Sequence, residues 1–453
     1  MTRYQDIARA RVYLRGHAVG ELEKRSPQSF IFAYSDEYLG SKVRIPIAHC
    51  FPLQGGKFES KELHPYFDNM ILEGWLLERA ERELHIDKKN RFALLMAVGR
   101  EPIGAVSICP LDPNGVEIIP SASDEKEAGE EQSVTVEEDE RLKTHRICPG
   151  CLTKSPKSSL YHRACQEELW GSSGRLWIRL DKEDPLAAFS KTIFGGSISG
   201  AQRKGLFALD EKKKELHANV GQADYILKPN GQYPELPANE HLTMAIAKSA
   251  GFRTPPFGIV RIEKLGLVYV VKRFDRIDGR KRLVEDMAQI IGEMTNDKYE
   301  GSYEKIAGAI KKHSEAPKLD LNELFRRIVF CLLTANGDMH LKNWMLIESE
   351  ELDGNYELSP CYDFLNTRIV IPKEKMDSAL PIMGRQNIIT WECLKEFALK
   401  VLVLEPKFVE SVHDEMKGWN KKIEELVPNS LLSDVFKKRY LEIVDDRRKL
   451  LSV

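Results

Sequence analysis

The chain lacks any apolar run near the roughly 18 residues that a membrane-spanning helix needs. Its start, Met1-Thr-Arg-Tyr-Gln-Asp, lacks the positive segment and apolar stretch of a secretory signal. No membrane partner is therefore expected, and the cytoplasm is the expected compartment. Excess positive charge is missing too: 67 Lys and Arg stand against 69 Asp and Glu, a formal net charge of -2. That balance argues against attraction of the whole molecule to nucleic acid or anionic lipid. Cysteine is sparse, and five of the eight (Cys50, Cys109, Cys331, Cys361, Cys393) are scattered along the 453 residues. In a reducing compartment they read as small buried hydrophobes and not as disulfides.

What is present is a hydrophobic content of 42% and a charged content of 30%, the composition of a folded chain long enough for two or three cores. Residues 7–21 alternate apolar and polar around Arg15-Gly16, and 29–34 read as another strand. Apolar spacing predicts one long amphipathic helix over 63–83, a second near 90–98, and a closing strand at 102–108. This β-rich unit is expected to span 1–112. Residues 113–145 are rich in acid and poor in aromatics, which predicts a solvated linker. A cysteine-containing insert follows at 146–172. Strands at 206–209, 225–228 and 267–274 suggest a second antiparallel sheet within 173–278, with a helix at 240–250 stopped by Gly251. From 279 to 453 helical patterns dominate.

The most informative stretch is Asn336-Gly-Asp-Met-His-Leu-Lys-Asn-Trp. An Asp-x4-Asn loop in protein kinases places the Asp to accept the acceptor hydroxyl's proton and the Asn on magnesium. Asp338 and Asn343 have that spacing, and Asp363, in Tyr-Asp-Phe, occupies the place of the second metal-binding carboxylate. Taken alone, Asp-x4-Asn also fits an ordinary loop with a capping Asp. Upstream, Phe194-Gly-Gly-Ser-Ile-Ser-Gly-Ala-Gln-Arg-Lys combines glycines with small hydroxyl residues, so backbone N–H groups can approach a phosphate. It lacks the Gly-x4-Gly-Lys-Ser/Thr spacing of a P-loop. Lys228 ends an apolar strand, where a lysine needs an anionic partner, and Glu240 on the next helix is a candidate to orient it.

In this order, Ser-Ile-Ser-Gly-Ala-Gln-x-Lys, Ile-Leu-Lys-Pro, Asn239-Glu240, Val271-Lys-Arg-Phe-Asp-Arg, Glu285-Asp-Met-Ala-Gln, Gly-Asp-x-His-x-Lys-Asn and Tyr-Asp-Phe resemble the HipA family of bacterial toxin kinases. The resemblance covers roughly 190–451 and extends more loosely to the N-terminal unit. It implies an α+β, two-lobed protein-kinase-like fold of HipA type, with a β-rich N-terminal subdomain and a mainly helical C-terminal lobe. It also implies ATP and magnesium as cofactors. By position Asp338 would be the base, and Asn343 and Asp363 the magnesium ligands. Ser199, Gly200, Ala201, Gln202, Arg203, Lys204 and Lys228 would cradle the phosphates, with Glu240, His340 and Lys342 beside them, while Lys272, Arg273 and Phe274 would border the adenine. Family members resemble one another in an acidic residue where Lys272 stands, which leaves a backbone contact there. Ser197 and Ser199 match the serines that such kinases autophosphorylate. The implied partners are a protein substrate such as an aminoacyl-tRNA synthetase and a small helix-turn-helix antitoxin through which alone DNA would be met.

Cys148, Cys151, His162 and Cys165 form C-x2-C followed by H-x2-C, a spacing that favours a structural zinc knuckle. Some HipA-like chains resemble this one in carrying such an insert. Two other functions share the motifs. A small-molecule or lipid kinase would use the same base and magnesium ligands, and a catalytically silent, nucleotide-binding corepressor would keep the fold without turnover.

Overall fold

The computed structural model describes residues 4–118, 130–172, 174–190, 202–219, 221, 223–371 and 373–453. Near the N-terminus five strands pair in the order Phe58–Ser60, Ser29–Tyr34, His17–Ser26, Arg9–Leu14, Val106–Leu111. The first hairpin turns on Arg15 and Gly16, both with positive φ (51° and 81°), as a two-residue turn matched to strand twist requires. The closing strand lies later than the pattern suggested: Gly104 turns with φ of 92° and gives its N–H to Asp275, so the ladder begins only at Val106.

The helix expected over 63–83 is broken into Pro65–Asp68 and Gly74–Leu84. Between them the chain turns toward the second half of the molecule. Asn69 Nδ2 donates to the Glu293 carbonyl at 2.8 Å, and Glu73 pairs with Lys298 at 2.6 Å. These tertiary bonds outweigh local periodicity.

Seven strands close into a barrel in the order Tyr225–Pro229, Gly266–Lys272, Phe257–Ile262, Glu131–Glu137, Leu176–Asp181, Glu215–Ala218, Gly205–Asp210. The expected second sheet is thus closed, and Leu176–Asp181 runs parallel to Glu215–Ala218. The predicted acidic linker over 113–145 needs correction. Glu131–Glu137 is a barrel strand paired residue for residue with Leu176–Asp181, and Glu140–His145 is a helix capped by Asp139. Val134 and Val136 point inward while Glu131, Ser133 and Glu137 stay on the wet face, so acid on one face of a half-buried strand gave the look of a linker.

The helix Leu236–Ser249 packs against the barrel strands Gly266–Lys272 and Phe257–Ile262. It stops before Gly251, whose φ is 84°. A three-stranded sheet (Val284–Asp286, Met345–Glu348, Tyr356–Leu358) leads into a helical body that includes Tyr303–His313, Pro317–Leu333, Pro406–Leu426 and Asp434–Leu450. Trp344, Phe325, Phe330 and Trp419 fill its core. The N-terminal unit is bolted to this body: the Gly104 N–H donates to Asp275 at 2.7 Å, Lys281 pairs with Glu101 at 2.6 Å, and His49 meets Glu285 at 2.6 Å.

Candidate active site

Lys228 sits at the inner end of its strand, 5% exposed, between two carboxylates from other elements. Its Nζ donates to Glu240 Oε1 at 2.6 Å and to Asp363 Oδ1. Burial works against the ammonium, yet Asp363 and Glu240 outweigh it and hold its pKa above the ordinary lysine value. The two carboxylates then differ. Burial pushes Glu240 up to about 7 against the pull of Lys228. Asp363 is also opposed by burial, but Lys228 and Lys204 hold it down at about 2. At neutral pH Asp363 is therefore fully ionised and Glu240 only in part, and both fix the place of Lys228. Burial draws the neighbouring Lys204 down to about 8, against the charge of Asp363.

The helix Pro317–Leu333 ends in a turn at Ala335, with φ of 54°, and releases the loop that carries Asp338. Asn343 Nδ2 donates to the Asp338 carbonyl at 2.8 Å, which ties the two ends of the Asp-x4-Asn loop together and fixes which end of the Asn343 amide is left as an oxygen donor. Tyr299 Oη donates to Asp338 Oδ1 at 2.8 Å, so one oxygen of the carboxyl already has a hydroxyl partner. Burial raises the Asp338 carboxyl to about 6 despite that bond. The His340 ring is buried edge-on to Tyr299, with ring centres 5.2 Å apart.

A cleft open to solvent lies between barrel and helical body. Ile226, Val271, Phe274, Val284, Met345 and Tyr362 give it apolar walls, and Lys204, Lys228, Asn343 and Asp363 gather at its polar part. Asp338 and His340 are not among its walls. Phe274 packs on Tyr362 with ring centres 5.5 Å apart, a wall suited to a flat ring. At the hinge the backbone N–H groups of Lys272 and Arg273 are already bonded to the carbonyls of Pro256 (2.8 Å) and Asp224 (2.7 Å). The Arg273 guanidinium is committed to Asp275 at 2.7 Å. Gln202 and Arg203 are half-buried, and the Arg203 guanidinium stands 5.9 Å from the centre of the Trp75 ring. Ser197, Ser199, Gly200 and Ala201 lie outside the described residues.

Lys342 has a structural anchor that its motif did not reveal. Its Nζ pairs with Glu73 at 2.8 Å and donates to the Asn69 carbonyl at 3.0 Å. Glu73 also holds Lys298, next to Tyr299. Burial opposes the Glu73 charge, but Lys342 and Lys298 outweigh it and keep its pKa well below the ordinary carboxylate value. Glu73→Gln strips a buried lysine of its anion, and removing one partner of such a pair costs about 3–5 kcal/mol. The urea midpoint should fall accordingly, and an unchanged midpoint would show the strut to be idle.

Two family models match this chain: the HipA-like C-terminal domain over residues 196–423 and the HipA N-terminal domain over residues 10–109. The chain belongs to the HipA-like family. It is 26% identical over 375 residues to "Putative kinase Y4dM" of Sinorhizobium fredii, spanning 79% of this chain and 76% of that protein. It is 23% identical over 370 residues to "Serine/threonine-protein kinase toxin HipA" of Shewanella oneidensis, spanning 77% and 72%. A chain of the Shewanella oneidensis MR-1 complex of HipA, HipB and operator DNA matches with a TM-score of 0.67 at 20% identity, covering 98% of this chain and 97% of that one. The HipA-like fold is thus α+β, two-lobed and kinase-like, as its sequence motifs implied. No helix among the described residues is long and apolar enough to cross a membrane.

Proposed function

We propose that this HipA-like chain is an ATP-dependent serine/threonine protein kinase. The observation that carries this reading is Lys228, held between Glu240 and Asp363 at the polar end of an apolar-walled cleft that Asn343 also lines. A buried cation so placed meets a phosphate, and apolar walls such as Phe274 and Tyr362 suit a base. The Asp363 carboxylate and the Asn343 amide oxygen are hard oxygen donors of the kind magnesium takes, so the residues present fit Mg-ATP. Bound there, the metal would supply charge stabilisation to the transferring phosphoryl group. Asp338 would orient the acceptor hydroxyl and take its proton.

The protein substrate is of the aminoacyl-tRNA synthetase class by family resemblance, and the regulatory partner a helix-turn-helix antitoxin. Support for the second comes from a structural relative solved with HipB and DNA. Growth arrest through that substrate, and silencing by phosphate on Ser197 or Ser199, complete the toxin reading, since phosphate beside bound ATP repels it. Incubation with γ-labelled ATP, alone and with cell extract, tests it: label is expected on the chain itself, mapped to Ser197 or Ser199, and on an extract protein. An unlabelled chain with a labelled small metabolite or lipid would overturn the protein-kinase assignment, and no label anywhere would leave a nucleotide-binding corepressor.

A further inference from the structure

The cysteine-containing insert is not part of the cleft, but it is wired to it. The Sγ atoms of Cys148, Cys151 and Cys165 and a ring nitrogen of His162 all lie within 4.8 Å of one another. Cys148 and Cys151 stand on a turn after the helix Glu140–His145, while His162 caps the helix Arg163–Trp170, whose first turn carries Cys165. His162 Nε2 lies 3.0 Å from the Lys154 carbonyl, so that nitrogen carries the proton and Nδ1 presents its lone pair, 3.3 Å from Cys151 Sγ. A backbone carbonyl orienting a histidine in this way is the usual outer support of a metal-binding ring. Gly150 allows the approach: a Cβ there would stand 2.8 Å from Cys165 Cβ. Three thiols and one imidazole, converging from two segments, form a closed four-ligand set of the kind structural zinc takes.

The same insert touches both elements that place the cleft's central cation. The Pro149 carbonyl, between the two cysteines of the turn, accepts from His241 Nε2 at 2.7 Å and from the Ile259 N–H at 3.3 Å. His241 is fully buried and directly follows Glu240 on the helix Leu236–Ser249. At the other end of the insert, the Leu169 carbonyl accepts from Tyr225 Oη at 2.7 Å, and Trp170 stacks on the same tyrosine with ring centres 5.4 Å apart. Tyr225 begins the strand that carries Lys228.

We propose that Cys148, Cys151, His162 and Cys165 bind one zinc ion, and that the knuckle so closed braces the Glu240 helix through Pro149 and the Lys228 strand through Leu169. An insert this short has little core of its own, so its shape depends on the metal. Loss of the metal frees Pro149 and with it the register of His241 and Glu240.

The test uses the full chain, purified without chelator, with metal content and amide exchange as readouts; both are independent of the kinase reading. Elemental analysis should find about one zinc per chain, and Cys148→Ser with Cys151→Ser should lose it. Protein without zinc, or with a disulfide among these cysteines, overturns the site. Hydrogen exchange over residues 236–249 should quicken when a chelator strips the metal and slow again when zinc is restored. His241→Phe keeps all four ligands and removes only the bond to Pro149, so it should retain zinc while showing the same quickened exchange. Wild-type exchange in zinc-loaded His241→Phe overturns the brace even where stripping unfolds the whole chain.

Discussion

Asp338→Asn is expected to cut phosphoryl transfer by about 10²–10⁴-fold, the usual loss on removing a general base, while leaving the urea midpoint near that of the parent. The carboxyl lies on a loop, bonded through Oδ1 to Tyr299, and an amide oxygen can accept the same bond without changing shape. Initial rates of autophosphorylation at saturating ATP check it, and near-parental rates would remove Asp338 from the mechanism. The same residue sets a pH limb. Burial raises its pKa to about 6, and a base works only when ionised. The free enzyme's kcat/KM should therefore fall tenfold per pH unit below about 6, whereas an unperturbed aspartate would hold its activity down to about pH 4. Tyr299→Phe removes a donor that favours the carboxylate, so its limb should move to higher pH. A limb near pH 4 in the parent would mean that a different, more exposed group takes the proton.

Lys228→Met should be as damaging for a different reason. Loss of one preorganised charge aimed at a transferring phosphoryl group costs about 10²–10³-fold in kcat, and here the substitution also leaves Asp363 and Glu240 facing each other without their cation. In the parent, Asp363 has a depressed pKa of about 2. Its contribution to stability is complete above the unfolded value near 4 and is lost only as pH falls through about 2. Glu240, raised to about 7 from an ordinary value near 4.5, already costs the parent some stability between those pH values. Without Lys228 both carboxylates lose their nearest cation and burial weighs more on each, so the variant should lose more stability than the parent as pH rises from 5 to 8. Urea midpoints at pH 5 and pH 8 check the sign, and a constant difference between parent and variant at both would show that the three groups are not coupled. Lys228→Arg should not restore activity, because a planar fork does not fit the place of a compact ammonium between two carboxylates.

Some of this site was legible in the residue order and some was not. Asp338, Asn343 and Asp363 stood out because their spacing is that of a kinase-type loop, and the structure brings Asn343 and Asp363 to one cleft while Asp338 lies off its walls. Glu240 was readable as a partner for Lys228 because an apolar strand ending in lysine demands an anion, and the ion pair at 2.6 Å meets that demand. Glu73 and Tyr299 carried no such signal: one sits in what reads as a helix face, the other in a polar loop. Each acquires its role from a contact made far along the chain. The strand Glu131–Glu137 was hidden for a related reason. Its acidic face is compatible with a strand only when the barrel supplies an inner side for Val134 and Val136.

Residue order alone was enough to pick out the side chains with chemical potential: Asp338 and Asn343 five positions apart, Asp363, a lysine ending an apolar strand and a thiol-imidazole set, each recognisable because its spacing is local or its cost of burial forces a partner. It took the folded chain to set how charge is shared between Asp363 and Glu240 beside Lys228, to bring the N-terminal unit to the Asp338–Asn343 loop through Glu73, and to seat the cysteine knuckle on the helix of Glu240. Those outcomes depend on burial and on contacts between residues far apart in the chain, and neither is encoded in any short stretch of it.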